Sequence, residues 1–209
     1  MSPAAASAAK GDRRRLALLE SLDAYLLEGG HLDSINIADI SRRAGVTRSA
    51  FYFYFENKAA AVAALMEELY DESIAAAELL HGDGTPQERV AGMVRGLFAA
   101  FDRHQHLYRA MLEARATSAP VREMWDADRR SFVPHLAAVI AADGVDVADP
   151  EALASVLLEL NDRMLERLAL GGDLTRDQLV DTVVGIWLRA IYGLAPTDSV
   201  HTPTSEGPR

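Results

Sequence analysis

Apolar positions recur along this chain with the period of an α-helix. Leu16, Leu19, Leu22 and Leu26 fall at the spacing of one helical face, and Gly29-Gly30 ends that run. Asn36 predicts an N-cap for a short helix ending near Ala44, where Gly45 makes a turn. Thr47 then caps a second short helix reaching about Tyr54, and Asn57 caps a longer one through roughly residue 80. His81-Gly82-Asp83-Gly84 reads as a loop and the best internal boundary. Beyond it, Thr85-Pro86-Gln87-Glu88 forms a capping box with proline in the first turn. A helix follows to about Arg103, and a short one spans about 107–113. Pro120 opens another to about Ala142, and Asp149-Pro150 starts one that Gly171-Gly172 ends. Thr175 with Gln178 caps the last, reaching Tyr192. No strand-like alternation extends beyond five residues. The expected class is all-α, with about nine helices.

The ends differ from this pattern. Residues 1–11 are small and polar and are expected to form a loose tail; residues 194–209, rich in Pro, Thr and Ser, are expected to form another. Between them the pattern divides into a three-helix unit over 12–56 and a larger helical body over 57–193. The opening residues carry no leucine-rich run of the signal-peptide kind, and no apolar stretch approaches membrane-spanning length. A cytoplasmic location without a membrane partner is expected.

Charge at first argues against a nucleic-acid partner, because the chain carries a formal −10. Residues 1–60, however, hold eight basic against seven acidic side chains, and the remainder holds thirteen against twenty-four. The acidity therefore belongs to the body, and a basic patch rather than a basic protein is what DNA requires. Cysteine is absent, which excludes disulfides and cysteine-based metal or redox chemistry.

The two short helices joined at Ala44-Gly45-Val46 describe a helix-turn-helix, with Ile37, Ile40, Val46 and Phe51 as its small core. Its second helix would lie in the major groove of double-stranded DNA, with Thr47, Arg48 and Ser49 near base edges. Arg48 suits a bidentate contact to guanine, and the hydroxyls suit bases or phosphates. Tyr52 and Tyr54 can reach phosphate, and Lys58 sits at a helix start where positive charge and free N–H groups favour one. Taken alone, the aromatic block at 51–55 also fits a β-strand.

The spacing Ile40-x3-Ala44-Gly45-Val46-Thr47-Arg48-x2-Phe51-Tyr52-x-Tyr54-Phe55-x2-Lys58, behind a leucine-rich first helix, resembles the TetR family of transcriptional repressors. The resemblance spans residues 12–65. It implies DNA contacts at Asn36, Thr47, Arg48, Ser49, Tyr52, Tyr54 and Lys58, a homodimer, and a helical body that takes a small effector. Asn36 stands where the family has Thr or Ser, and Ser41 where it has a small apolar residue. A second resemblance, to a mycobacterial member of the family, rests on Ala114-Arg115-Ala116-Thr117-Ser118, Trp125, Leu160-Asn161, Ile186-Trp187 and Ile191-Tyr192-Gly193.

In the body, Glu159, Asp162, Arg163, Glu166 and Arg167 form a polar stripe, whereas Asn161 falls on the apolar face of the same helix. A buried amide needs a partner. It pairs with a backbone carbonyl, with its counterpart in another subunit, or with a ligand, and the resemblance implies the ligand. Leu97 with Phe101, Trp125 with Phe132, and Trp187 fall at helical spacings that suit plain core as well as a cavity wall. The resemblance implies that they line an effector site, with Leu158 and Glu166 at further lining positions; the expected effector is elongated and largely apolar. The long helix from Asn57 is the expected lever between effector and DNA. Val180, Val183, Val184, Ile186, Trp187, Leu188 and Ile191 make the last helix so apolar that a two-fold four-helix interface is expected.

An enzyme is not expected. His31, His81, His104, His106, His135 and His201 show no metal-ligand spacing and suit surface roles, so no metal or cofactor is expected. Phosphate loops, dinucleotide fingerprints and nucleophile elbows are absent. Two other readings stay open: a helical adaptor that anchors a protein through the aromatic block, and an activator of TetR type.

Overall fold

The computed structural model describes residues 3–143 and 147–193. It contains α1 (Pro3–Leu27), α2 (Ile37–Arg43), α3 (Arg48–Tyr54), α4 (Lys58–Leu65), α5 (Glu67–Glu78), α6 (Pro86–Arg103), α7 (Gln105–Thr117), α8 (Ala119–Ser131), α9 (Val133–Ala142), α10 (Pro150–Leu170) and α11 (Arg176–Tyr192). A 3₁₀ turn, Leu79–His81, follows α5. The pairs α4/α5 and α8/α9 are each one helix broken at a single residue, Met66 and Phe132, so nine helices carry the fold among the described residues.

The caps explain where most of these helices begin. Side chains of Asn36, Thr47, Asn57 and Asp149 each accept a hydrogen bond from a backbone N–H in the first turn they open. Thr85 with Glu88, and Thr175 with Gln178, form complete capping boxes. Helix α1 begins at Pro3 rather than after residue 11, which corrects the expectation of a loose tail there. Five alanines within the first seven residues of α1 give the reason, since alanine costs least in a helix. The expected tail at 194–209 lies outside the described residues.

Helices α1 to α3 pack around Leu18, Leu19, Leu22, Leu26, Ile37, Ile40 and Phe51, all buried. Leu16, expected on the inner face of α1, is exposed, and Leu18 takes the inward position. Helix α2 ends in a Schellman motif: Gly45 N–H donates to the Arg42 carbonyl and Val46 N–H to that of Ser41. Gly45 has φ +67°, which a side chain would strain.

In the body, α6 lies between α5 and α11, and α10 packs against α7, α8, α9 and α11. Val180, Val183, Val184, Trp187, Leu188 and Ile191 are buried within the chain's own core. The expectation that they form a surface between subunits is therefore corrected. Helix α11 is apolar because α6 and α10 cover it. The large apolar side chains that these last two helices leave outside are Val156, 63% exposed, Leu170, 68%, and Ile186, 37%. None of the helices described is long and apolar enough to cross a membrane.

Candidate DNA-binding face and effector cavity

On α3 the alternation of buried and exposed positions selects an outward face. Phe51 and Phe55 turn inward, and their rings pack 5.5 Å apart. Arg48, Ser49 and Tyr52 are exposed, and so is Phe53, at 81%. The Arg48 guanidinium lies 5.6 Å from the Tyr52 ring centroid and donates to its hydroxyl at 3.4 Å. That contact holds the arginine in an extended pose on the helix surface. Thr47 is exposed too, but its hydroxyl accepts from Ala50 N–H at 3.3 Å. Asn36 likewise caps α2, accepting from Ala38 N–H at 3.0 Å.

Two expected contact residues sit differently. Tyr54 is only half-exposed, on the flank of α3, with its hydroxyl beside Gly11 of α1. The Lys58 ammonium donates to the Asp33 carbonyl at 3.1 Å, which leaves two of its three N–H bonds for another acceptor. Phe53 is the exposed residue that reasoning from hydroxyls and charges passed over. The helical period was signal enough, since position 53 follows Ser49 by four and shares its face.

The body encloses a cavity of about 120 Å³ between α5, α6, α7, α8 and α10. Leu97, Phe101, Trp125, Phe132 and Asn161 all line it, so five of the six expected positions come together. Leu158 lines it as well, whereas Glu166 turns away to Arg163 at 2.8 Å and Arg115 at 3.4 Å. Trp187 borders a second cavity of about 260 Å³, which shares Ala77, Met93, Phe132 and Leu158 with the first.

Asn161 is 4% exposed, and its partner is none of those weighed from sequence. Its Oδ1 accepts from the indole N–H of Trp187 at 3.2 Å. An indole N–H can only donate, so this bond fixes the amide orientation of a residue that also lines the cavity and leaves its NH2 group uncommitted to Trp187.

Asp162 does not belong to a solvated stripe. Its carboxylate accepts from the Trp125 indole at 3.1 Å and from Arg129 at 3.2 Å. Burial pushes this carboxyl above its ordinary range, although the indole and Arg129 both work against the shift. The helical period places Asp162 beside Asn161 but says nothing of how deep that flank lies once α8 covers it. Beside these groups, Tyr70 Oη is buried without a hydrogen-bond partner, next to the Asp128 carboxylate. Burial is the main reason its phenol is pushed upward, and Asp128 adds to it.

Helix α7 touches both regions. From one side Tyr108 lines the first cavity and donates to the Asp162 carbonyl at 3.3 Å. From the other, Glu113 accepts from Leu32 N–H at 2.7 Å and lies 2.9 Å from His31 Nδ1. His106 Nε2 lies 2.8 Å from Asp23 of α1. His104 pairs with Glu72 at 3.3 Å. The surface roles expected for His104 and His106 are thereby corrected: both side chains are largely buried, because each faces a carboxylate on another helix. Among the described residues no group of histidines and carboxylates could hold a metal ion.

A helix-turn-helix at one end, with a cavity-bearing helical body behind it, defines a DNA-binding regulator rather than an enzyme. Comparison with known proteins gives the family. Residues 29–65 match the family of bacterial regulatory proteins of tetR type, and residues 90–193 match the C-terminal domain of the transcriptional regulator EthR. The HTH-type transcriptional regulator EthR of Mycobacterium tuberculosis (strain H37Rv) is 32% identical over 193 residues, covering 88% of this chain and 89% of that protein. The EthR of Mycolicibacterium smegmatis is 28% identical over 197 residues, covering 89% of each. The chain belongs to the TetR family of transcriptional regulators. The fold agrees: a TetR-family regulator from Syntrophomonas wolfei superposes with a TM-score of 0.69 at 19% identity, covering 88% of this chain and 97% of that one.

Proposed function

We propose that this regulator is a homodimeric repressor that leaves a palindromic operator when a small, largely apolar effector enters its body. The observation that carries the reading is the convergence of Leu97, Phe101, Trp125, Phe132 and Asn161 on one cavity whose wall, α7, is also bonded to the helix-turn-helix unit. The unit over 12–56 acts as the DNA-binding part and the body over 57–193 as the sensor and dimerisation part. Arg48, Ser49 and Tyr52 read or flank base edges from the outward face of α3, joined by Thr47 and Phe53. Asn36, Tyr54 and Lys58 stand at its margins, where phosphates would lie. The apolar remainder at Val156 and Ile186 supplies the two-fold contact.

Asn161 offers its NH2 to an acceptor on the effector, such as a carbonyl or ether oxygen. A ligand that prefers the state with wrongly spaced recognition helices lowers DNA affinity, and DNA lowers ligand affinity by the same factor. The sequence favoured α4 as the lever. The bonds from α7 to Asp23, His31 and Leu32 give a second, direct path.

The test is a panel of neutral lipophilic compounds carrying one acceptor, assayed for thermal stabilisation and for release of DNA from an operator selected out of genomic fragments. Stabilisation together with release supports the reading. An enriched palindrome that no cavity-filling compound releases would overturn the effector role and leave DNA binding standing.

A further inference from the structure

The first cavity is apolar along most of its wall and polar at one pole, where Asp128, Arg129 and Asp162 line it. These three charges are not equivalent. Asp162 is engaged by Trp125 and Arg129. Arg129 is further engaged by Asp126 at 3.2 Å and lies 3.8 Å from Glu159. One guanidinium therefore faces three carboxylates besides Asp128, and none of its contacts is to Asp128. Asp128 itself, half-buried, makes no ion pair among the described residues. The Tyr70 hydroxyl, buried and without a hydrogen bond of ordinary length, lies close enough to Asp128 for that carboxylate to act on its phenol.

The charged side chains that line this pole are two carboxylates and one guanidinium, so the lining is net negative and favours an incoming cation. The surroundings reinforce the sign, since residues 61–209 hold thirteen basic against twenty-four acidic side chains. Aromatic rings of Phe101 and Phe132 on the same wall favour a weakly hydrated cation over an anion.

We infer that the effector is a lipophilic cation: an apolar body that fills the cavity, bearing a protonated amine that pairs with Asp128 beside the Tyr70 hydroxyl. This deepens the effector reading above and rests on it. The amine's N–H donates to Asp128, and Tyr70 Oη accepts a second N–H, which satisfies the unbonded hydroxyl. An anionic head of the same size meets Asp128 and Asp162 and is rejected.

The test uses three probes with one body: 4-phenylbutylamine, 4-phenylbutanol and 4-phenylbutanoate. Affinity is measured by calorimetry on the full chain, on Asp128→Asn, and on Leu97→Trp, which fills the cavity. The amine is expected to bind about tenfold or more tighter than the alcohol, in line with a charge-assisted bond. The acid is expected not to bind. Asp128→Asn should erase the preference for the amine and keep the alcohol's affinity, and Leu97→Trp should abolish both. Alcohol binding as tight as the amine, or a preference surviving in Asp128→Asn, overturns the cationic assignment while leaving the cavity as the effector site. Failure of all three probes, or binding that Leu97→Trp leaves intact, overturns the cavity reading and the cation with it.

Discussion

Single residues carry the most specific energetics. Ser41 is 1% exposed, and its hydroxyl is buried without a hydrogen-bond partner. An unsatisfied buried hydroxyl costs about 1 kcal/mol or more, so Ser41→Ala should raise stability by roughly that amount in a urea titration. A fall in stability would mean that the hydroxyl is satisfied by water. Asp162 gives a prediction with a defined sign. Its folded carboxyl is raised above the ordinary 3.8, so the native state holds the proton more tightly than the unfolded chain does. The stability this contributes is complete below the unfolded value and is lost as pH rises through the folded one. Asp162→Asn stays neutral throughout. Its Tm should therefore gain on the parent's as pH rises from the unfolded value through the folded one, and a flat difference would contradict the buried-carboxyl assignment. Neither residue's state was visible in sequence. Ser41 stood out there only as a polar departure from a resemblance, and Asp162 was read only as part of a polar stripe, because a helical wheel gives angle without depth.

Elements were far more legible. Every cap named from sequence opens a helix in the structure, since capping is a local bond between residues two or three apart and needs no tertiary context. The two breaks were not foreseen, for different reasons. Pro134 sits in the first turn of α9, and its ring removes an N–H and clashes with the carbonyl four residues back; the break at Phe132 was thus written in the sequence and passed over. At Met66 the flanking residues are good helix formers, and no local feature announces the change. The cavity residues were legible as aromatics at helical spacing, but Tyr70, Asp128 and Arg129 were missed because three different helices supply the polar pole. Helix α7 was expected to be short and received no role, yet its side chains bond to both regions. Glu113→Gln keeps the size of that link and weakens its two bonds to residues 31 and 32. Effector-induced loss of DNA affinity should shrink in this variant, and the reciprocal effect of DNA on effector affinity should shrink by the same factor. Unchanged coupling measured both ways would return the lever to α4.

For the whole molecule, assembly is the property most open to measurement. Of the apolar residues first assigned to the subunit contact, all but Ile186 hold the monomer together, so substitutions among those six would report folding rather than association. Val156, 63% exposed on α10, and Ile186, 37% exposed on α11, separate the two. Val156→Glu combined with Ile186→Glu should leave the helical content and Tm of the chain nearly intact. It should also convert a dimer to a monomer in sedimentation at micromolar concentration and weaken operator binding steeply. A parent chain that sediments as a monomer would remove the two-fold model of operator recognition.

Phe132 stands where two cavities of about 120 and 260 Å³ meet, on the residue at which α8 gives way to α9. Phe132 is the bulkiest of the four residues that border both cavities, and a side chain of that size is a movable stop on a ruler. Its rotamer sets how much of the second cavity, which Trp187 borders, adds to the length of molecule that the sensor measures. Shortening it, as in Phe132→Ala, should shift the best-bound member of a homologous series towards longer chains without altering the operator. A family of regulators could by this means change what it senses one residue at a time, while what it reads on DNA stays fixed.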